Sequence, residues 1–263
     1  MATPIEVARA YARRAGIWGV RCFLALASLG SVAWGVFCLP VFLDQSRLEG
    51  TRDLILRDVP LSDAVLEQLN PLLERSASRS YCIPSYDRSA AIIRLRLLDN
   101  AFAAGRGDLV NVRMGDLDAA IGKSLGCAPA DPYLWLVLFW LRDNRSGPSK
   151  ENFDLLRLSY RLGPNEGWIA SKRNYLALAM FDALPADLVT EAIAEFSRLV
   201  RTELYTEAIE ILKGPGWPHR DRLLAGLSTV PDRNKTILTK AMFDLGYDIG
   251  KALPAEGRSP DRR

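Results

Sequence analysis

The residues that could carry chemistry are few, and their spacing does not suit it. His219 is the only histidine, and within Trp217-Pro218-His219-Arg220-Asp221 it reads as a solvated or capping residue. A serine or cysteine nucleophile would need that histidine as its base, and no glycine-flanked nucleophile turn accompanies it. Zinc-type ligation needs several Cys or His at short spacing. Cys82 and Cys127 are 45 positions apart, so no metal site is expected. Gly214-Pro215-Gly216 is neither preceded by a strand nor followed by Lys-Ser/Thr, so it is no phosphate loop. Glu191 and Glu195 stand four apart, the spacing of a solvated helix face. Two-carboxylate glycoside hydrolysis needs acids facing each other across a cleft, about 5–10 Å apart. A carbohydrate-active enzyme with paired carboxylates is the alternative to a non-catalytic protein. No catalytic, cofactor-binding or metal-binding residue is assigned.

The cysteines divide into two kinds. Cys22 and Cys38 fall in an apolar run and read as small apolar side chains. Cys82 and Cys127 lie beyond it, at helix edges. In an oxidising compartment they are the natural disulfide pair, against the reading of two unrelated buried thiols.

The elements that would position any site start from that apolar run. Cys22 to Leu43 is 22 residues without a charge, about 33 Å as a helix, enough to cross a bilayer core. A cleaved signal peptide competes, since Ala25-Leu26-Ala27 has the look of a cleavage site. Cleavage there would leave too short an apolar region before it. A buried core helix competes less well at this length. Lys and Arg number four before the run and three after it, over residues 44–59. The positive-inside rule therefore places the N-terminus in the cytoplasm and the bulk of the chain in the periplasm. Trp18 and Phe42 stand where aromatic belts form. Ala27, Ser31 and Gly35 recur every four residues, a small-residue stripe that would let two membrane helices associate.

The net charge of +3 is carried by residues 1–21, where four Arg face Glu6. Residues 22–263 therefore balance, which argues against a nucleic-acid partner. About 200 residues follow the anchor, enough for one sizeable core. The expected order is a basic tail (1–21), the anchor (22–43), a stalk or short helix (44–60), an all-α domain (61–250) and a disordered tail (251–263).

Within that domain the apolar spacing is helical. A helix is expected from Pro60-Leu61-Ser62-Asp63, with Leu66, Leu69 and Leu73 on one face and Pro71 as a kink. SYCIPSYDRS reads as a loop. Residues 89–104 fit both strand alternation and helical spacing, and their length and alanines favour helix. Asp131-Pro132 is a strong helix start before the apolar YLWLVLFWLR, the centre of the core. Ser149 caps a helix to Leu162. One or two helices lie around Trp168, Tyr175, Leu178 and Phe181. Pro185 opens a helix to Arg201 with Leu188, Ala192, Phe196 and Leu199 on one face, and shorter helices follow.

The stretch Tyr133–Trp168 resembles a tetratricopeptide-type helical hairpin. It has a Trp/Leu-rich first helix, a turn, and a second helix with Ser159 five positions before Pro164. The resemblance covers about 36 residues, Trp168 arrives two residues early, and no second copy follows at the repeat's period. It implies an irregular array of paired helices and a role in protein–protein binding. DPYLWLVLFWL, LRLSYRLGPNEGWIASKRN and GWPHRDRLL, within residues 131–218, are similar to a group of small membrane-anchored helical proteins of bacteria that accompany exopolysaccharide and envelope-polysaccharide export. That resemblance implies an inner-membrane accessory whose partners are other envelope proteins and the bilayer. Asn165, Glu166 and Trp168 are the expected exposed interaction loop.

Overall fold

The computed structural model describes the backbone of residues 4–250 and the side chains from residue 18 onward. The expected disordered tail, 251–263, lies outside the described residues. Among these the chain is all-α, with no strand. It forms two compact units, Met1–Arg113 and Met114–Arg263.

The first unit is built on α1 (Pro4–Leu56), one uninterrupted helix of 53 residues with Pro40 inside it. Its large apolar side chains from Trp18 to Leu43 are 54–77% exposed, apart from the half-buried Val41. Water alone would not tolerate such a face. The segment is long and apolar enough to cross a bilayer. Where a stalk or short helix was expected, residues 44–56 are the last turns of α1, packed on α4 (Pro84–Ala103). Leu48 and Ile55 are the buried residues of that contact face.

The expected single helix after Pro60 is two, α2 (Asp63–Glu67) and α3 (Asn70–Ser78). Pro71 does more than kink it, because a proline lacks the N–H that would continue the ladder and serves instead in a first turn. The same preference moves the start of α4 five residues ahead of the expected position, since Pro84 opens it. The part of the expected loop from Pro84 onward is therefore helix. Asp87 in that first turn accepts from Ile83 N (3.2 Å), Ser76 Oγ (2.8 Å) and Arg79 Nη2 (2.8 Å), fixing α3 to the helix start. The strand alternative for residues 89–104 fails because Ile92, Ile93, Leu97 and Leu98 are all buried on α4, which packs against α1, α2 and α3.

Helix α5 (Gly107–Cys127) leads into the second unit. There α6 (Pro132–Ser146) and α7 (Lys150–Leu162) form a helical hairpin. Both expected caps are present. Asp131 Oδ1 accepts from Tyr133 N (3.0 Å) and Leu134 N (3.1 Å), and Ser149 Oγ accepts from Asn152 N (3.1 Å). Leu134, Leu136, Phe139 and Leu141 are buried. Helix α8 (Gly167–Ala179) then pairs with α9 (Ala186–Arg201). Leu188, Ala192, Phe196 and Leu199 are buried on α9 as their spacing predicted. Burying each Leu or Phe contributes about 1.5–3 kcal/mol. Against α9 pack α10 (Tyr205–Lys213), α11 (Arg220–Ala225) and α12 (Asp232–Asp244).

Candidate functional site

Four helices of the second unit meet around one buried ion pair. Arg173 of α8 and Glu195 of α9 are both fully buried. Arg173 donates to Glu195 Oε1 from Nε (3.1 Å) and Nη2 (2.5 Å), to Ser159 O (2.7 Å) and Ser159 Oγ (3.1 Å) from Nη1, and to Gly163 O (3.0 Å) from Nη2. Every N–H of the guanidinium thus has an acceptor, the condition for a charge to be tolerated in a core. Ser159 Oγ in turn donates to Pro132 O (2.8 Å), which ties the start of α6 into the network. Gly163 allows the close approach, since a Cβ there would lie 2.7 Å from Pro132 Cβ.

The Arg173 guanidinium stacks 4.3 Å from the Tyr160 ring centroid. Burial, reinforced by the charge of Glu195, pushes the Tyr160 hydroxyl well above the usual tyrosine range. That hydroxyl makes no well-formed hydrogen bond. Burial also raises the Glu195 carboxyl above the ordinary glutamate value, opposed by the Arg173 hydrogen bond and charge. Nothing in the helical spacing distinguishes these residues beforehand. The one available signal is Ser159, the small residue of the hairpin resemblance.

Glu191 and Glu195 do not share a cleft. Glu191 is exposed, 3.8 Å from Arg198, while Glu195 is sealed beneath Arg173. Glu191 lines a groove of about 440 Å³ between α7 and α9, along with Asp154, Arg157, Tyr160, Arg161 and Asp187. Arg157 crosses that groove to Asp187 with two hydrogen bonds, Nε to Oδ2 (2.6 Å) and Nη2 to Oδ1 (2.9 Å). This fork holds the Asp187 carboxyl below its usual range.

A second groove, of about 380 Å³, runs between α8 and α10. Its walls are Tyr175, Leu176 and Ile211, with Lys172, Glu207 and Glu210 at its edges. Trp168 and Tyr175 of α8 are 39% and 48% exposed. They stand two turns apart, about 10.5 Å along the helix. Of the aromatic and apolar residues expected around this helix, Leu178 and Phe181 are buried, but Trp168 and Tyr175 face outward. Trp168 rests on Tyr133 of α6, ring centroids 4.9 Å apart. Asn165 and Glu166, expected as an interaction loop, are exposed and lead into α8. A Cβ at Gly167 would meet Leu204 Cδ1 at 2.8 Å, so a larger residue there would displace that side chain.

The other sequence-selected residues lie elsewhere. Ala27, Ser31 and Gly35 are exposed on α1, with Ser31 Oγ donating to Ala27 O (2.9 Å). Cys22 and Cys38 are free thiols. Cys82 lies in the loop before α4, and Cys127 ends α5. His219 packs 4.4 Å from the Phe181 ring with Asp182 3.9 Å away. No group of three or more metal-ligating side chains occurs among the described residues.

No family model matches this chain, and no curated protein or solved structure is significantly similar to it.

Proposed function

We propose that this chain is a membrane-anchored helical scaffold of the bacterial envelope. In this reading α1 holds it in the inner membrane with the N-terminus in the cytoplasm, and its helical units recruit partner proteins in the periplasm. The observation that carries the reading is the groove between α8 and α10. It is open and walled by Tyr175, Leu176 and Ile211, and the exposed Trp168 and the Asn165–Glu166 loop stand at the N-terminal end of the same α8. Exposed aromatic side chains beside a half-buried Leu176 and a buried Ile211, with Lys and Glu at the rim, make the composition of a protein-binding surface. Two acids at or beneath the α7–α9 groove are also committed to ion pairs, Glu195 to Arg173 and Asp187 to Arg157. Service in polysaccharide export rests on the resemblance of residues 131–218.

The test is photocrosslinking in the native host from p-benzoylphenylalanine at position 175 of the full chain. An envelope-protein adduct that Leu176→Glu abolishes is the expected result. The absence of adducts, or adducts equal to those formed from position 65, would overturn the scaffold reading. Deletion of the gene should lower surface polysaccharide, and unchanged polysaccharide would remove the export assignment alone.

A further inference from the structure

The loop that precedes α4 lies at the end of the first unit where the apolar stretch of α1 stops. Helix α4 runs beside α1 in the same direction. Near its start, Arg52 Nη1 of α1 donates to Ser89 Oγ (3.3 Å). Further along, Arg96 Nη2 donates to Ile55 O (3.5 Å), and then Asn100 Nδ2 to Leu61 O (2.9 Å). The N-terminal end of α4 therefore points back toward the apolar half of α1. Its level is fixed by Arg75 of α3, which is ion-paired with Asp44, one residue past the last apolar residue, Leu43. No flexible linker intervenes, because α1 is a continuous helix through this point. The edge formed by the end of α3 and the loop to Ile83 thus lies level with the end of the apolar segment.

That edge is built for an interface. Tyr81 is 57% exposed, yet it is held in place. Arg79 donates from Nε to Tyr81 O (3.1 Å), and its guanidinium lies 5.2 Å from the Tyr81 ring and 4.4 Å from the Tyr86 ring. Arg79 is itself anchored on the buried Asp87. Arg75 is more than half exposed, and Arg47 is exposed one turn beyond Leu43. An ordered, outward tyrosine flanked by arginines is the composition of a headgroup-level belt.

Resting on the anchored reading above, we propose that the Arg75–Ile83 edge is a second bilayer contact, with Tyr81 at headgroup depth and Arg75 and Arg47 against lipid phosphates. The first unit is then seated on the membrane surface.

The test uses the full chain in nanodiscs of phosphatidylethanolamine and phosphatidylglycerol. p-Benzoylphenylalanine is placed singly at Phe37, Tyr81 or Val65, and lipid adducts are counted by mass spectrometry after illumination. Val65 is the internal control. It is 47% exposed in the same unit, two residues from Asp63, which accepts from Asn100 near the far end of α4. Position 81 should yield on the order of tenfold more lipid adduct than position 65, as an interfacial site does against an aqueous one. Adducts at 37 with equal, low yields at 81 and 65 would overturn the seating alone. No adducts at 37 would overturn the anchor and the seating together. Circular dichroism of each labelled chain confirms that it is folded.

Discussion

Replacing Arg173 by Met probes what holds the second unit together. The side chain is fully buried, pairs with an equally buried carboxylate and also satisfies two backbone carbonyls, Ser159 O and Gly163 O. Methionine fills much of the volume but leaves the Glu195 charge and Gly163 O without the donors that Arg173 supplied, while Ser159 O keeps only the Gly163 N–H (3.1 Å). Breaking one side of a buried pair costs about 3–5 kcal/mol, a large share of the 5–15 kcal/mol available to a domain. For a unit of this size that is a fall in Tm of roughly 6–20 °C. The loss should depend on pH in a determined direction. Glu195 is already raised by burial. Without Arg173 its folded-state pKa rises further above the unfolded value, so the native state binds more protons than the unfolded one. Stability of the variant should then recover as pH falls from 7 toward the unfolded glutamate value of about 4.3. The double variant Arg173→Met/Glu195→Leu should be more stable than Arg173→Met alone at pH 7, because it removes the stranded charge. The assay is urea unfolding of the full chain in detergent, followed by circular dichroism between pH 5 and 8. A loss under about 1 kcal/mol at pH 7, or one that does not change with pH, would refute the account of the pair.

Three further outcomes are expected. A periplasm-active reporter fused after the C-terminal residue should be active and a cytoplasm-active one silent; the reverse would overturn the topology. Non-reducing peptide mapping of the exported chain should find Cys82 joined to Cys127, and two free thiols would refute the pairing. Closing a loop of about 45 residues contributes about 4 kcal/mol in the chain-entropy model. Asp63→Asn should cost about 1–2 kcal/mol at pH 7. Burial raises the Asp63 carboxyl, but hydrogen bonds from Asn100 and Arg113 and the charges of Arg113 and Arg106 outweigh it and hold the pKa below the ordinary value. Its contribution is thus present above the unfolded pKa and lost as pH falls through the folded one. Urea midpoints of wild type and variant should converge in acid, and a constant gap would count against the ion cluster.

The parts of the fold that could be read in advance rest on local rules. Asp131 and Ser149 cap because a short side-chain acceptor before a helix has backbone N–H groups within reach, whatever lies around it. The α9 stripe is legible because every third or fourth residue is apolar. Proline misleads in one respect. The local pattern makes Pro71 a kink and Pro84 a loop residue, but both stand in the first turn of a helix, where a missing N–H costs nothing. The Arg173–Glu195 pair could not be read, because a charged residue on α8 or α9 has the same local signature whether it meets water or a partner 22 positions away. Tyr175 groups with Leu178 and Phe181 in the sequence for the same reason, although it is exposed and they are buried. An aromatic ring says nothing by itself about which side of a helix the neighbours leave open.

The unbroken run of α1 makes azimuth as well as height a fixed quantity. Each residue of an α-helix turns the chain by about 100° and advances it 1.5 Å. The face of α1 that meets α4 through Leu48 and Ile55 is therefore phase-locked to every side chain within the apolar segment. One alanine inserted between Leu43 and Leu48 would swing the first unit about a quarter turn around the anchor while hardly lifting it. Two insertions would turn it nearly to the opposite side. If a second copy packed on Ala27, Ser31 and Gly35, it would then meet the first unit presented in a new direction. Activity should follow the helical phase of the insertion rather than its length, returning near three or four added residues, so α1 would serve the molecule as an angular gauge.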